Sequence, residues 1–216
     1  MGLIPKRASA RLGEFLESYI AQRTDVKPRT RINLNAARAR LIEFFGKDRL
    51  LRDIAPGDAD AWLLWLKERY ADGTAGRTVK RAKQFFRAAV RCRLLTENPF
   101  ADVKAPSEVN ESRKHFVTRE IARRVLDACP DAEWRLIFAL SRYGGLRCPS
   151  EHLSLEWTGV NWEEGRLFVD SPKTGPRWVP IFPELRPYLE EAFELAPEGA
   201  VHVSNRYRDT NANLRT

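Results

Sequence analysis

The stretch with the most chemical character is Tyr143-Gly-Gly-Leu-Arg147-Cys-Pro-Ser-Glu151-His-Leu-Ser-Leu155-Glu-Trp157. Two glycines ahead of an arginine allow close backbone approach, and Glu151 can orient that arginine from the helix expected to follow. A planar guanidinium grips two phosphate oxygens at once. The plainer use of the same residues is a structural arginine paired with Glu151, a common surface arrangement. A second candidate is a basic helix. At 100° per residue over 77–93, Arg77, Lys80, Arg81, Gln84, Arg87 and Arg91 share an arc of about 120°, with Val79, Ala82, Phe86, Ala89 and Val90 opposite. No acid interrupts residues 73–96. Surface helices usually mix charge signs for i,i+4 pairing, and this one does not. Such a face suits the major groove of a duplex, where phosphates attract cations and Arg or Gln reaches base edges. Upstream, Arg31, Asn35 and Arg38 form a weaker stripe of the same kind, and Lys27 and Arg29 can meet phosphate at a helix N-terminus.

The elements that must position these residues follow from hydrophobic period and end signals. Residues 11–22 carry Leu12, Phe15, Leu16, Tyr19 and Ile20 at helical spacing. Pro28 with a capping hydroxyl at Thr30 starts a helix over about 30–45, closed by Gly46. Asp58 or Asp60 caps a third helix bearing Trp62, Leu63, Trp65 and Leu66, residues 72–76 read as a break, and a fourth helix runs over about 77–94. The first hundred residues are thus expected to be an all-α four-helix bundle, followed by a polar, Pro-containing linker over 101–115. Beyond it, Thr118 caps a helix over 119–128 and another covers 131–143. Two strands, 166–170 and 177–182, flank the turn Ser171–Pro176, and a helix follows Pro183. A short strand is expected over 200–203. Trp62, Trp65, Trp134 and Trp157 fall at packing positions, and His152 is expected to be a polar surface or interface residue.

Composition narrows the class. The 216 residues carry 43% apolar and 31% charged side chains, which is a globular composition. The net charge of +8 is uneven: residues 1–114 hold 24 Lys/Arg against 14 Asp/Glu, and residues 115–216 hold 13 against 15. The first part is built to meet a polyanion. Three cysteines without CxxC spacing exclude a disulfide scaffold or zinc cluster. No apolar run nears the roughly 18 residues of a membrane span, and the N-terminus lacks a signal-peptide core. The expectation is a cytoplasmic, two-part protein with no membrane partner.

The stretch from Gly145 resembles the first arginine box of the tyrosine recombinases (phage integrases), G-L-R-x-x-E-L-x-x-L-x-W. Trp157-Thr-Gly-Val-Asn161 resembles their W-x-D-I-D stretch, and Ser171-Pro-Lys173-Thr-Gly-Pro-Arg177-Trp-Val-Pro180 their hairpin K-T-x-x-R-x-V-P-L. Thr78-Val-Lys-Arg with Phe85–Arg91 and Asn98-Pro-Phe100 is similar to the last helix of their core-binding domain. The resemblance implies a mainly α protein: a SAM-like four-helix core-binding bundle over 1–100, then an α+β partial catalytic domain over 116–216 with a small antiparallel hairpin. It implies double-stranded DNA as partner, other recombinase protomers on that DNA, and no metal or nucleotide cofactor. In that chemistry a tyrosine forms a 3′-phosphotyrosyl link and frees a 5′-hydroxyl, arginines stabilise the phosphate oxygens and a hairpin lysine protonates the leaving oxygen. By position, Arg147 is the first phosphate-clamping arginine, Lys173 the general acid and Glu151 the supporting carboxylate.

The sequence departs from the pattern in two ways. Three residues, Cys148, Pro149 and Ser150, separate arginine from glutamate where the family has two. None of the three histidines (His115, His152, His202) opens an H-x-x-R box, and Tyr207 lies too close to the hairpin to be the nucleophile. The reading is a chain ending before the second half of such a site, with Asn205–Asp209 as the approach to it. A non-catalytic DNA-binding protein competing for recombination sites is the alternative, and a basic helical protein with an RNA partner is a third.

Overall fold

The computed structural model describes residues 10–109 and 114–205. The chain divides into two compact units, Met1–His115 and Phe116–Thr216. It is mainly helical with one small antiparallel sheet. Among the described residues no helix is long and apolar enough to cross a membrane.

The first unit is built from α1 (Leu12–Gln22), α2 (Pro28–Phe45), α3 (Pro56–Arg69) and α4 (Asp72–Arg91). Each start and stop has a local cause. Pro28 and Pro56 take the first helical position, where their missing N–H costs nothing. Asp58 Oδ2 accepts from the Ala55 N–H at 2.9 Å, and Gly46 closes α2 with φ of 82°. Thr30, expected as a capping hydroxyl, lies inside α2, because Pro28 moves the start upstream to Lys27. The core is the set of apolar stripes turned inward: Leu12, Leu16, Leu34, Leu41, Trp62, Leu66, Val79, Phe85 and Phe86 are all inaccessible to solvent. Phe100 joins it, edge-on to Trp62 at 5.4 Å and tilted against Phe86 at 4.5 Å, and Val103 is buried beside it.

Residues 72–76 do not break the chain but form the first turns of α4. Gly73 and Gly76 look like breakers because glycine disfavours helix by about 1 kcal/mol. The use of Gly76 is close approach: a Cβ on it would lie 2.3 Å from the Pro106 carbonyl oxygen, whereas one on Gly73 would meet Glu108 at ordinary contact distance. Residues 106–108 therefore lie flat on the start of α4.

The second unit holds α5 (Arg119–Asp127), α6 (Ala132–Arg142), β1 (Val160–Asn161), β2 (Arg166–Val169), β3 (Arg177–Pro180) and α7 (Arg186–Glu194). Thr118 Oγ1 and Asp131 Oδ1 cap α5 and α6 by accepting from Ile121 N and Trp134 N. The sheet order is β1-β2-β3, with Leu167 opposite Val179 and Phe168 opposite Trp178. Period-2 alternation buries Leu167, Val169 and Val179 on one face against Leu136, Leu140, Leu185 and Leu189, and leaves Phe168 and Trp178 in contact on the other. β1 is too short to leave a sequence period. Residues 200–203 contribute one bridge, His202 to Glu156, instead of a strand.

The helix expected after Arg147 is replaced by turns over 148–154, closed by Glu151 N to Arg147 O at 2.9 Å and Leu153 N to Pro149 O at 3.0 Å. Pro149 has no N–H to give and restrains Cys148 away from helical angles, so a regular helix does not start there.

Two helical glycines separate propensity from packing. Gly57→Ala meets nothing within 4 Å and should raise stability by a few tenths to about 1 kcal/mol. Gly76→Ala drives a methyl into Pro106 and should lower it by about 1–3 kcal/mol despite the same propensity gain. Urea unfolding of the two variants checks the opposite signs.

Candidate nucleic-acid interface

The α4 face sorts largely as its sequence pattern requires. Val79, Ala82, Phe85, Phe86 and Ala89 are buried, Arg77, Lys80, Arg87 and Arg91 are exposed, and Arg81 and Gln84 are half-buried. Val90, expected on the apolar side, is half-buried. The polar residues are also tied into the bundle. Gln84 donates to the Tyr19 hydroxyl at 2.8 Å and accepts from Arg81 Nη1 at 2.8 Å. Lys80 pairs with Glu108, an acid supplied from outside the helix.

On α2 the predicted stripe divides by role. Arg31 closes the end of α1, donating from Nη1 to Ile20 O at 3.0 Å and from Nη2 to Arg23 O at 2.7 Å. It satisfies carbonyls that a helix end leaves open. Arg38 is half-buried with Glu17 at 3.7 Å, while Asn35 is exposed. Lys27 and Arg29 are exposed at the start of the helix. Arg29 and Arg40 of α2 face Arg77, Lys80 and Arg81 of α4 across a groove of about 480 Å³ that Glu108 also lines. Sequence reasoning missed Arg40, which donates to Thr78 Oγ1 at 3.1 Å and lies 4.4 Å over the Tyr70 ring. The signal was present: 29, 33, 36 and 40 follow one helix face.

In the second unit the side chains gather around Glu151, which is fully buried. Arg147 donates its backbone N–H to Oε2 at 2.9 Å and Nη1 to Oε1 at 2.8 Å. Arg177, on β3, grips the same carboxylate with both terminal nitrogens, Nη2 to Oε2 at 2.7 Å and Nη1 to Oε1 at 3.1 Å. Arg147 Nη1 also reaches Thr174 Oγ1 at 3.2 Å, and that hydroxyl donates to Ser171 Oγ at 3.0 Å. The carboxylate thus fixes Arg147 to the hairpin turn that carries Lys173. Lys173 is exposed on that turn, next to the residue touching Arg147. Two guanidinium groups on one carboxylate leave a net positive cluster, and the Arg147 side chain keeps 45% of its surface open.

Glu151 is held well below the usual carboxylate range, chiefly by the Arg177 hydrogen bonds and further by the Arg147 N–H, Ser171 and the Arg147 guanidinium, against the opposing cost of burial. Arg177 is the residue here to which sequence spacing assigned no role. Its partner lies 26 positions away. His152, expected near the surface, is fully buried, with Nε2 2.9 Å from Ser141 Oγ. Burial pushes its pKa down. Arg206 and Tyr207 lie outside the described residues.

Because the Glu151 pKa is depressed in the folded state, its stabilisation is complete above the unfolded value of about 4.3 and is lost as pH falls from there toward the folded value. Glu151→Gln removes the counter-charge of two part-exposed arginines and should cost about 1–3 kcal/mol at neutral pH. It should also flatten the loss of stability between pH 5 and 3. Denaturant unfolding across that range checks both effects.

No protein-family model matches the sequence, and no curated protein is similar to it. Solved structures are. A lambda integrase dimer bound to a COC′ core site superposes with a TM-score of 0.78 over 94% of this chain at 20% identity, and a lambda integrase tetramer bound to a Holliday junction with 0.80 over 97% at 19%. The Tn1549 transposon integrase in complex with circular intermediate DNA gives 0.71 over 88% at 18%. The chain spans 60%, 64% and 66% of those chains. At such identities the likeness speaks for architecture: this chain has the fold of the tyrosine-recombinase integrases.

Proposed function

We propose that the chain binds duplex DNA as an integrase-like protein, with residues 1–100 as a core-binding bundle of the SAM-like kind, 101–115 as the connection and 116–216 as part of a catalytic domain. The observation that carries this reading is the Arg147–Glu151–Arg177 cluster set against the 171–176 turn, because two sequence stretches that resemble the family's motifs, the arginine box and the hairpin, meet there with complementary chemistry. The fold likeness to integrases solved on DNA supports it as analogy.

In this reading the exposed part of the Arg147 guanidinium takes non-bridging oxygens of a backbone phosphate, where negative charge grows in the transition state. Glu151 and Arg177 hold it in place. Lys173 donates a proton to the 5′ oxygen as the bond from phosphorus to that oxygen breaks. The attacking group in this chemistry is a tyrosine oxygen, which bonds to phosphorus and leaves a 3′-phosphotyrosyl link. That tyrosine and the H-x-x-R arginine belong C-terminal to the hairpin in the family pattern, and none of the histidines here opens such a box. These 216 residues are therefore assigned binding, with cleavage assigned only to a protein that also carries those groups. On α4, Arg77, Arg87 and Arg91 meet phosphates, and Lys27 at the N-cap of α2 with Arg29, Asn35 and Arg38 on that helix extend the contact. Arg31 serves the fold first.

Fluorescence anisotropy with a labelled duplex should show tight, salt-sensitive binding. Changing Arg77, Arg87 and Arg91 together to Glu should weaken it at least tenfold and flatten the slope of log K against log salt by about three. Unchanged affinity and slope would remove α4 from the interface. Structured RNA competing better than duplex would favour an RNA partner, and a covalent adduct on a suicide DNA substrate would overturn the assignment of binding alone.

A further inference from the structure

The groove between α2 and α4 is not uniformly basic. Arg29, Arg40, Arg77, Lys80 and Arg81 line it, and one acid, Glu108, stands among them with its carboxylate on the Lys80 ammonium. Nothing in the sequence of α4 brings that acid: it arrives 28 positions later, on the segment that lies across the start of the helix. The placement is specific. The approach at Gly76 leaves no room for a Cβ beneath Pro106, the Glu108 backbone passes 3.5 Å from where a Gly73 Cβ would sit, and the Glu108 Cγ lies equally close to that of Gly76. A glycine in a helix, unfavourable by about 1 kcal/mol, thus seats at Gly76 a strap that delivers one carboxylate to a row of cations. The Glu108 side chain is only 32% exposed, whereas the lysine it meets is 62% exposed.

We propose that Glu108 is a built-in phosphate mimic, which occupies one anion position in the α2/α4 groove and is displaced when a backbone phosphate of duplex DNA enters. This rests on the DNA-binding reading and adds a regulatory element to it. A carboxylate on a lysine is a weaker and less charged partner than the polyanion, so exchange favours DNA. The exchange lowers affinity for every sequence alike, because phosphates carry no sequence information. The strap thereby restrains sequence-independent binding, against which any site-specific affinity must compete.

The test is a salt titration of the full chain on a labelled 30-base-pair duplex of arbitrary sequence. Glu108→Gln should tighten binding about three- to tenfold at fixed salt and steepen the slope of log K against log salt by about one, since Lys80 then acts on phosphate uncompensated. Glu97→Gln makes the same change of net charge at an exposed site in the loop after α4 and should shift affinity by less than twofold. Adding Lys80→Gln to Glu108→Gln should return affinity and slope to those of the unsubstituted chain. Equal effects of Glu108→Gln and Glu97→Gln, or a loss of affinity in Glu108→Gln with unchanged thermal unfolding, would overturn the proposal while leaving DNA binding intact. An unsubstituted chain with no salt-dependent binding to duplex would overturn the DNA-binding reading, and this proposal with it.

Discussion

A carboxylate with no solvent contact, shared by two arginines, organises the second half of this molecule. Burying Glu151 alone would be prohibitive; four charge-assisted hydrogen bonds from Arg147 and Arg177 make it favourable to keep ionised. The consequence is geometric. The loop after α6 and the β2–β3 hairpin have no continuous backbone pairing between them, and the carboxylate joins them. Every placement argued for Arg147, for Thr174 and for the turn bearing Lys173 depends on that junction. The cluster differs from a surface ion pair, whose worth is small and easily screened, because its carboxylate has no solvent contact and removing either arginine leaves that buried charge less compensated.

The first unit is governed by a different constraint, the division of one helix between two tasks. α4 is the core of its bundle through Val79, Ala82, Phe85, Phe86 and Ala89 and its outward charge through Arg77, Arg87 and Arg91. Between these faces lie residues that serve both. Gln84 is fixed by Tyr19, Arg81 by Gln84, and Lys80 by Glu108. Side chains held this way lose less rotamer freedom when they meet a ligand than free lysines and arginines would. Arg31 and Arg40 make the converse point. They are cations on a basic helix whose first partners are a helix end, a threonine and an aromatic ring.

The departures from the sequence-based expectations share one cause. Gly73 and Gly76 read as a break because local propensity ranks them as breakers, and only contact with a segment thirty residues away shows what the missing side chain of Gly76 is for. The turns at 148–154 were legible as an irregularity, since Pro149 is visible, but not as the turn that carries the buried carboxylate. His152 reads as polar and accessible because it is a polar residue following a charged glutamate. Buried, it meets Ser141, eleven residues earlier on α6.

Four amphipathic helices, their proline and glycine ends, the hairpin and the residue types of the arginine cluster follow from the chain itself, because helix period, strand alternation and end chemistry act over a few residues. The same holds for the uneven charge and for the cationic arc of α4. Which guanidinium meets which acid was decided only in three dimensions. Arg177 reaches Glu151 across 26 positions and Glu108 reaches Lys80 across 28. Charged side chains on flexible stems pair with whatever the packed backbone brings within about 4 Å, and no period in the sequence encodes that distance.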